Sequence, residues 1–419
     1  MNYNFKSVLF LGIGGVSMHQ LAICFKNLGV KVVGYDAKEN EYTNKCKQNE
    51  ILVTNKFDKN FLNVDLCVKT SAIKENDKYV KVLKKLNVPV VDRAEVLGWL
   101  SSKFKNVIAV AGTHGKSTTA SLIYEILRIA GKNVSCHIGA NVLKPKFDIK
   151  DDYLVVEACE FNKSFLWLFP TISVVTNVEA EHLDSYGNFF NLKNAFSMFL
   201  KRGRKRFVTN EKSTQFLKKI KNVDFVDIEE SFNTKLKGEY NLKNISLAVA
   251  VARSLKIEEC VIKKVVESFN GIPRRYELLG NVNETKIFID YAHHPTEVNA
   301  FSNTFQKEFE NCLIVFQPHT YSRTKNLFKE FVLVLSKVEN LVIFKEYPAR
   351  EDKSQGKSAL ELFNKLEDCD CNVTYAENIK SIAKRIEKYS AVAFVGAGDI
   401  NLVAKKLLES KQFKDLNKK

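Results

Sequence analysis

The amino-acid sequence predicts an α/β protein of three domains. Three observations carry that reading. The chain has 419 residues, beyond the size at which a single hydrophobic core keeps growing. Short apolar strand runs alternate with helix-spaced stretches along most of its length. The alternation begins afresh near the N-terminus, after residue 105 and after Arg275.

The first start reads as a strand at Ser7–Leu11, a helix over Ser17–Leu28 closed by Gly29, and a strand at Val30–Val33, which makes a βαβ opening. The second places a strand at Asn106–Ala111, a glycine turn, and a helix over Ser117–Ala130 closed by Gly131. Strands at Tyr153–Val156 and Ile172–Val175 continue it. The third places strands at Lys286–Ile289, Cys312–Phe316, Leu341–Phe344 and Ala391–Val395, separated by helical stretches. The expected domains are therefore 1–105, 106–275 and 276–419, the outer two Rossmann-like and the central one of P-loop type. From Lys411 the Lys-rich end reads as a solvated tail.

Composition narrows the function classes. With 45% hydrophobic and 27% charged residues, the chain is an ordinary globular protein. No apolar run approaches the roughly 18 to 20 residues of a membrane span. Met1–Val16 lacks the charged lead and cleavage pattern of a signal peptide, so a cytoplasmic protein is expected. The nine cysteines show no pairing rhythm and read as free thiols. Cys369 and Cys371 are close, but without a partner pair they do not define a zinc site. The net charge of +16 rests on lysine, and only eleven residues are arginine. No basic run is interleaved with aromatics, so anionic small molecules are favoured over nucleic acid. Scarcity makes Arg93, Arg274, Arg275, Arg323 and Arg350 informative.

Gly112-Thr113-His114-Gly115-Lys116-Ser117-Thr118 lies between an apolar strand and an amphipathic helix, the setting of a phosphate cradle. Glycines let backbone N–H groups approach phosphate oxygens, Lys116 can bridge the β- and γ-phosphates, and Ser117 can reach Mg2+. The loop is shorter than G-x4-G-K-[ST], with Val110 where the first glycine would stand. ATP and Mg2+ are the implied cofactors.

This segment resembles the nucleotide loop of the Mur ligase family, whose members activate a carboxylate with ATP and couple it to an amine. Glu157 ends the strand Tyr153–Val156, as an Mg2+ ligand beside a triphosphate would. Asn177-Val178-Glu179-Ala180-Glu181-His182-Leu183-Asp184 resembles the family's N-x-x-x-D-H-x-D segment, with Glu181 for the Asp, and implies that His182 helps bind a second Mg2+. Gly238-Glu239-Tyr240-Asn241-Leu242-Lys243-Asn244 resembles G-x-H-N-x-x-N, whose asparagines, here Asn241 and Asn244, lie near adenine. Arg275 follows in a paired-arginine passage that could meet phosphate.

Gly12-Ile13-Gly14-Gly15-Val16-Ser17, with Asp36 further on, invites a nicotinamide reading that Ser17 degrades in place of the third glycine. In the family the same unit binds the uridine diphosphate of a sugar nucleotide. The resemblance therefore implies substrate contacts at Gly14, Gly15, Asp36, Ser71 and Arg93. The family more often continues with Gly-Met-Ser-Gly where this chain has Ser17-Met18-His19-Gln20.

Three of the seven histidines fall in two further loops, Asp290-Tyr291-Ala292-His293-His294-Pro295-Thr296-Glu297 and Phe316-Gln317-Pro318-His319-Thr320-Tyr321-Ser322-Arg323-Thr324. These resemble the alanine-adding branch and assign Tyr291, His293, His294, His319 and Arg323 to the amino acid and the intermediate. The branch usually has arginine where Thr320 stands, which leaves Arg323 to carry more of the anion binding. The implied activity joins L-alanine to the carboxylate of UDP-N-acetylmuramate, with Lys116, His182, His293 and Arg323 catalytic and Ser117, Glu157 and His182 on the metal. Oligomeric state is left between monomer and homodimer. A family member that adds a tripeptide, a nucleotide-binding relative with impaired catalysis, and a dehydrogenase are the alternatives.

Overall fold

The computed structural model describes residues 5–57, 59–139, 145–349, 351–369 and 371–416; Arg350 lies outside them. The strands form three sheets. The first contains β1 (Ser7–Leu11), β2 (Lys31–Tyr35), β3 (Leu52–Thr54), β4 (Leu66–Lys69) and β5 (Val90–Asp92) in the order β3-β2-β1-β4-β5, all parallel. The second contains β6 (Asn106–Ala111), β7 (Val134–His137), β8 (Tyr153–Glu157), β9 (Ile172–Val175), β10 (Lys205–Thr209) and β11 (Asp224–Val226). Its order is β11-β10-β9-β6-β8-β7, again all parallel.

The third sheet contains β12 (Glu277–Val282), β13 (Thr285–Asp290), β14 (Cys312–Phe316), β15 (Leu341–Phe344), β16 (Val373–Ala376) and β17 (Ala391–Val395), in the order β12-β13-β17-β14-β15-β16. Only β12 runs antiparallel, paired with β13. This edge hairpin is absent from the sequence reading, because Asn283-Glu284 lacks the glycine that marks most two-residue hairpin turns; Asn283 takes the left-handed conformation itself, at φ 53°.

Helices cover both faces of a parallel sheet, so its strands read as unbroken apolar runs rather than alternating ones. β9, β14 and β17 are buried at every position, which is why all three were legible with the correct bounds. In both of the first two sheets the opening strand lies between strands that leave in opposite directions, β1 between β2 and β4 and β6 between β9 and β8. The loop at the carboxyl end of such a strand opens into a crevice rather than under a crossover helix, and ligands bind there.

The described chain gathers into two compact units, Met1–Thr234 with Asn241–Phe269 and Lys235–Tyr240 with Asn270–Lys419. In the first unit one continuous core joins Phe10, Leu21 and Phe25 to Val107, Phe165, Phe196 and Phe199. In the second, the two faces of the β12–β17 sheet carry separate cores, one around Phe301, Phe316 and Phe331 and one around Phe344, Phe394 and Leu407. The final helix, Ile400–Leu416, runs through the segment predicted as a tail from Lys411. Ile400, Ala404 and Leu407 recur at helical spacing and are buried, and they carry the helix onward. No helix among the described residues is long and apolar enough to cross a membrane.

Gly98, in the helix Arg93–Ser101, shows how closely the first unit is packed: a Cβ there would lie 2.9 Å from the Trp167 carbonyl carbon. Gly98→Val should lower unfolding stability by about 1–3 kcal/mol through overpacking. The check is a shift of the urea midpoint at unchanged m-value.

Candidate active site

The phosphate loop leaves β6 and enters the helix Lys116–Ile129. Gly112 has φ 145° and Gly115 φ 82°, conformations that favour glycine. Added side chains would also collide, at Gly112 with the Thr176 hydroxyl and at Gly115 with the Asn244 side chain. The end of β9 clamps the loop from the other side. Asn177 accepts from His114 N through Oδ1 (2.8 Å), donates from Nδ2 to His114 O (3.0 Å), and accepts from Thr113 N at its own carbonyl (3.1 Å). The Thr176 hydroxyl also donates to His114 O, and Thr113 Oγ1 accepts from Glu179 N at 2.8 Å.

The first bond inside the helix runs from Thr119 N to Gly115 O at 3.0 Å. The amides of Lys116, Ser117 and Thr118 therefore have no carbonyl four residues back within the helix, and with the helix dipole they form an anion site. A glycine cradle with amides aimed into it fits a nucleotide triphosphate. Thr118 itself is buried. Thr119 Oγ1 donates to Asn244 Oδ1 (3.3 Å), and Asn244 in turn donates to Asn241 (3.4 Å). Both asparagines thus pack beneath the loop.

Lys116 Nζ donates to the carbonyls of Gly112 and Thr113 and pairs with Glu160 at 3.0 Å. Burial pushes the ammonium's pKa down, but the charge of Glu160, with smaller contributions from Cys159 and Glu157, more than reverses that, and Lys116 stands above its ordinary value. It is a permanent cation. Ser117 Oγ donates to Glu157 Oε2 at 2.9 Å, and Gly139 N donates to the same oxygen at 2.9 Å. Ser117 and Glu157 thus meet through a hydrogen bond. His182 groups instead with Glu160 and Glu181, their ligand atoms all within 4.8 Å of one another. Hard oxygen donors with one imidazole suit a divalent cation. Glu160 and Asn177 are the residues that sequence reasoning did not single out. Their signal is position: each lies just beyond a buried parallel strand, facing the loop.

In the first sheet, Asp36 accepts from Gly14 N at 2.8 Å, so its carboxylate braces the glycine turn. Gly15 caps the helix Val16–Asn27, Arg93 donates to Ser17 Oγ at 2.9 Å, and Ser71 is exposed in the turn after β4. Thr70, rather than Ser71, packs on the turn, its Cγ2 2.6 Å from where a Gly12 Cβ would lie.

In the second unit, Tyr291 and His293 follow β13 and His319 follows β14. The His293 and His319 rings stand 6.0 Å apart, and His319 stacks on Tyr347 at 5.6 Å. Arg274 and Arg275 lie over the Tyr291 ring at 4.7 and 5.3 Å. Arg275 pairs with Glu297 at 3.2 Å, and His294 caps the helix Pro295–Glu308. Thr320, at φ 65°, caps the short helix Tyr321–Asn326 by accepting from Arg323 N at 3.4 Å. Burial raises Asp290 to about 6, against the opposing charge of Arg275.

Arg323 Nη1 lies 3.0 Å from His319 Nδ1. A guanidinium only donates, so Nδ1 accepts and the proton of the neutral ring is on Nε2. Burial, then the charges of Arg323 and His293, lower His319 to about 4.

A three-sheet α/β chain with a shortened phosphate loop, an acid-and-histidine cluster beside it and a histidine-rich third sheet defines a class, and this chain belongs to the Mur ligase family. Family models match residues 7–105 (Mur ligase family, catalytic domain), 110–231 (Mur ligase middle domain) and 274–404 (Mur ligase, glutamate ligase domain). Within the family it is similar to the UDP-N-acetylmuramate-L-alanine ligase of Caldicellulosiruptor bescii, 35% identical over 436 residues that cover 94% of this chain and 96% of the relative. The enzyme of that name from Aquifex aeolicus is 33% identical over 441 residues, covering 94% and 96%. The crystal structure of UDP-N-acetylmuramate-alanine ligase from Thermotoga maritima has the same fold, with a TM-score of 0.82 at 22% identity over 98% of this chain and all of that one. A murein peptide ligase from Psychrobacter arcticus shares the fold at a TM-score of 0.69 and 20% identity, covering 96% of this chain and 98% of that one. The dehydrogenase alternative falls with this assignment. Among the described residues, no metal-ligating group includes a cysteine.

The His319 environment makes a pH prediction. The folded pKa is about 4 against an ordinary 6.5, so between those values the unfolded chain binds more protons and unfolding free energy rises with pH. The contribution is complete above about pH 6.5 and is lost as pH falls toward 4. His319→Gln should flatten that part of the melting-temperature profile. An unchanged slope would mean that the ring is not held neutral.

Proposed function

We propose that this protein is an ATP-dependent ligase that forms the amide between L-alanine and the lactyl carboxylate of UDP-N-acetylmuramate, a cytoplasmic step in peptidoglycan precursor synthesis. The observation that carries the reading is the clamped phosphate loop. It brings Lys116 to Glu160 and Ser117 to Glu157 in a chain aligned over 94% of its length with ligases of that name. Residues 1–105 take the sugar nucleotide, 106–275 take ATP and 276–419 take the amino acid.

The carboxylate attacks the γ-phosphorus, the bond to the β-phosphate oxygen breaks and ADP leaves. The amine of alanine then attacks the acyl carbon, phosphate departs and the amine loses a proton. Charge gathers on the transferring oxygens, so catalysis rests on position and electrostatics. Lys116, released from Glu160, reaches the β- and γ-phosphates, while the amides of Lys116–Thr118 receive their oxygens. Ser117 and Glu157, and at a second position His182 with Glu160 and Glu181, would hold Mg2+, which would supply positive charge against the phosphates. Gly14, Gly15 and Arg93 receive the diphosphate. Tyr291, His293, His294, His319 and Arg323 receive the alanine carboxylate and orient its amine. His319, kept neutral, does not compete with Arg323 for that anion.

ADP release should require UDP-N-acetylmuramate and rise on adding L-alanine, with little turnover when a tripeptide replaces it. Lys116→Ala should lower kcat by a factor of about 10^3 or more, as loss of a transition-state charge clamp does, without moving the melting temperature by more than a few degrees. Equal use of the tripeptide would favour the recycling activity. Nucleotide binding without amide product would mark a relative with impaired catalysis.

A further inference from the structure

The helix Val16–Asn27 departs from the family's usual Gly-Met-Ser-Gly at Ser17, His19 and Gln20, and all three side chains are engaged. Ser17 Oγ lies 2.9 Å from His137 Nε2 at the end of β7, and it accepts from Arg93 Nη1 at 2.9 Å. Gln20 Nε2 donates to Ile138 O at 3.0 Å. The His19 ring stacks on Tyr42 at 4.6 Å. The two positions where glycine is usual are thus the two that reach the end of β7, at His137 and at Ile138 just beyond it.

Arg93 donates to one lone pair of the Ser17 hydroxyl, which keeps its second lone pair and its proton for the contact with His137. His137 is 4% exposed, and burial, then the charge of Arg93, lower it to about 3. The ring is neutral. Held by Arg93 on one side and by His137 on the other, the Ser17 hydroxyl is a tie rather than a ligand.

The tie leads to the nucleotide site by a short route. Ile138 is followed by Gly139, whose N–H donates to Glu157 Oε2, the oxygen that also accepts from Ser117 Oγ. Hydrogen bonds therefore run from the glycine turn of the first sheet, through β7, to the phosphate loop of the second.

We propose that Ser17 and Gln20 are positioning residues: they fasten the diphosphate-binding turn to the end of β7, so that this turn and the Ser117–Glu157 pair move as one body. The proposal rests on the ligase reading above. Its consequence is a fixed span between the anchored diphosphate and the transferred phosphoryl group, which the substrate carboxylate must match. Small misplacements of reacting groups cost large factors in rate while binding persists.

The test uses the full chain with Ser17→Ala/Gln20→Ala, and Ser17→Thr as the conservative variant. The double variant should lose kcat by about tenfold or more, with KM for Mg·ATP and calorimetric affinity for UDP each changed by less than about threefold, the ordinary scatter of a remote substitution. Ser17→Thr, which keeps the hydroxyl, should retain kcat. Hydrogen exchange with UDP alone is the second readout. In the wild type UDP should slow exchange both at 14–20 and at 136–139, and in the double variant only at 14–20. Wild-type kcat in the double variant, or UDP protection still reaching 136–139, overturns the proposal. Because the exchange measurement needs no turnover, it decides the tie even where the wild type releases no ADP, an outcome that would count against the ligase reading instead.

Discussion

The grip of Asn177 on His114, one side chain accepting from that residue's N–H and donating to its carbonyl, is the contact on which the rest of the site depends. A loop that must present bare amides to an anion cannot satisfy them internally, so it has to be held by its flanks. Here the flank is the end of β9, next to β6 in the sheet. Thr176, Asn177 and the Glu179 amide all bind the loop's outer part, while the Lys116–Thr118 amides, in the first turn of the helix, take no carbonyl four residues back within it. The cost of ordering the loop is met on folding, before any ligand arrives.

The same arrangement places the charges. Lys116 is sequestered by Glu160 and by two loop carbonyls, which keeps a buried cation paired. On the proposed reading an incoming phosphate would replace the carbonyls and compete for the ammonium, freeing Glu160 toward Glu181 and His182. Both glycine turns, after β1 and after β6, sit where strand order reverses. The core shared by their sheets joins them within one compact unit.

Much of this was legible in the amino-acid order. Buried parallel strands announce themselves as apolar runs, and the glycines of the phosphate loop are dictated by φ and by the close approach of Thr176 and Asn244. What escaped reading was pairing across the sheet. That Glu160 rather than Glu157 would meet Lys116 and His182 depends on the turn after β8, where Asn162 and Lys163 adopt left-handed conformations. Composition does not reveal that geometry. The departures at Ser17 and Gln20 looked like degradation of a glycine turn because their partner, β7, lies more than a hundred residues away in the chain. Thr320 looked like a lost arginine, yet it caps a helix at a backbone angle rare for a β-branched residue.

The central claim is that the β9 end pre-organises the phosphate loop, and the affinity of Asn177→Ala for Mg·ADP, measured by calorimetry beside the wild type, tests it most directly. Removing both side-chain bonds should weaken binding about tenfold or more, with the melting temperature little changed. Undiminished affinity in a folded variant would contradict the account, because the loop would then hold its shape without the clamp.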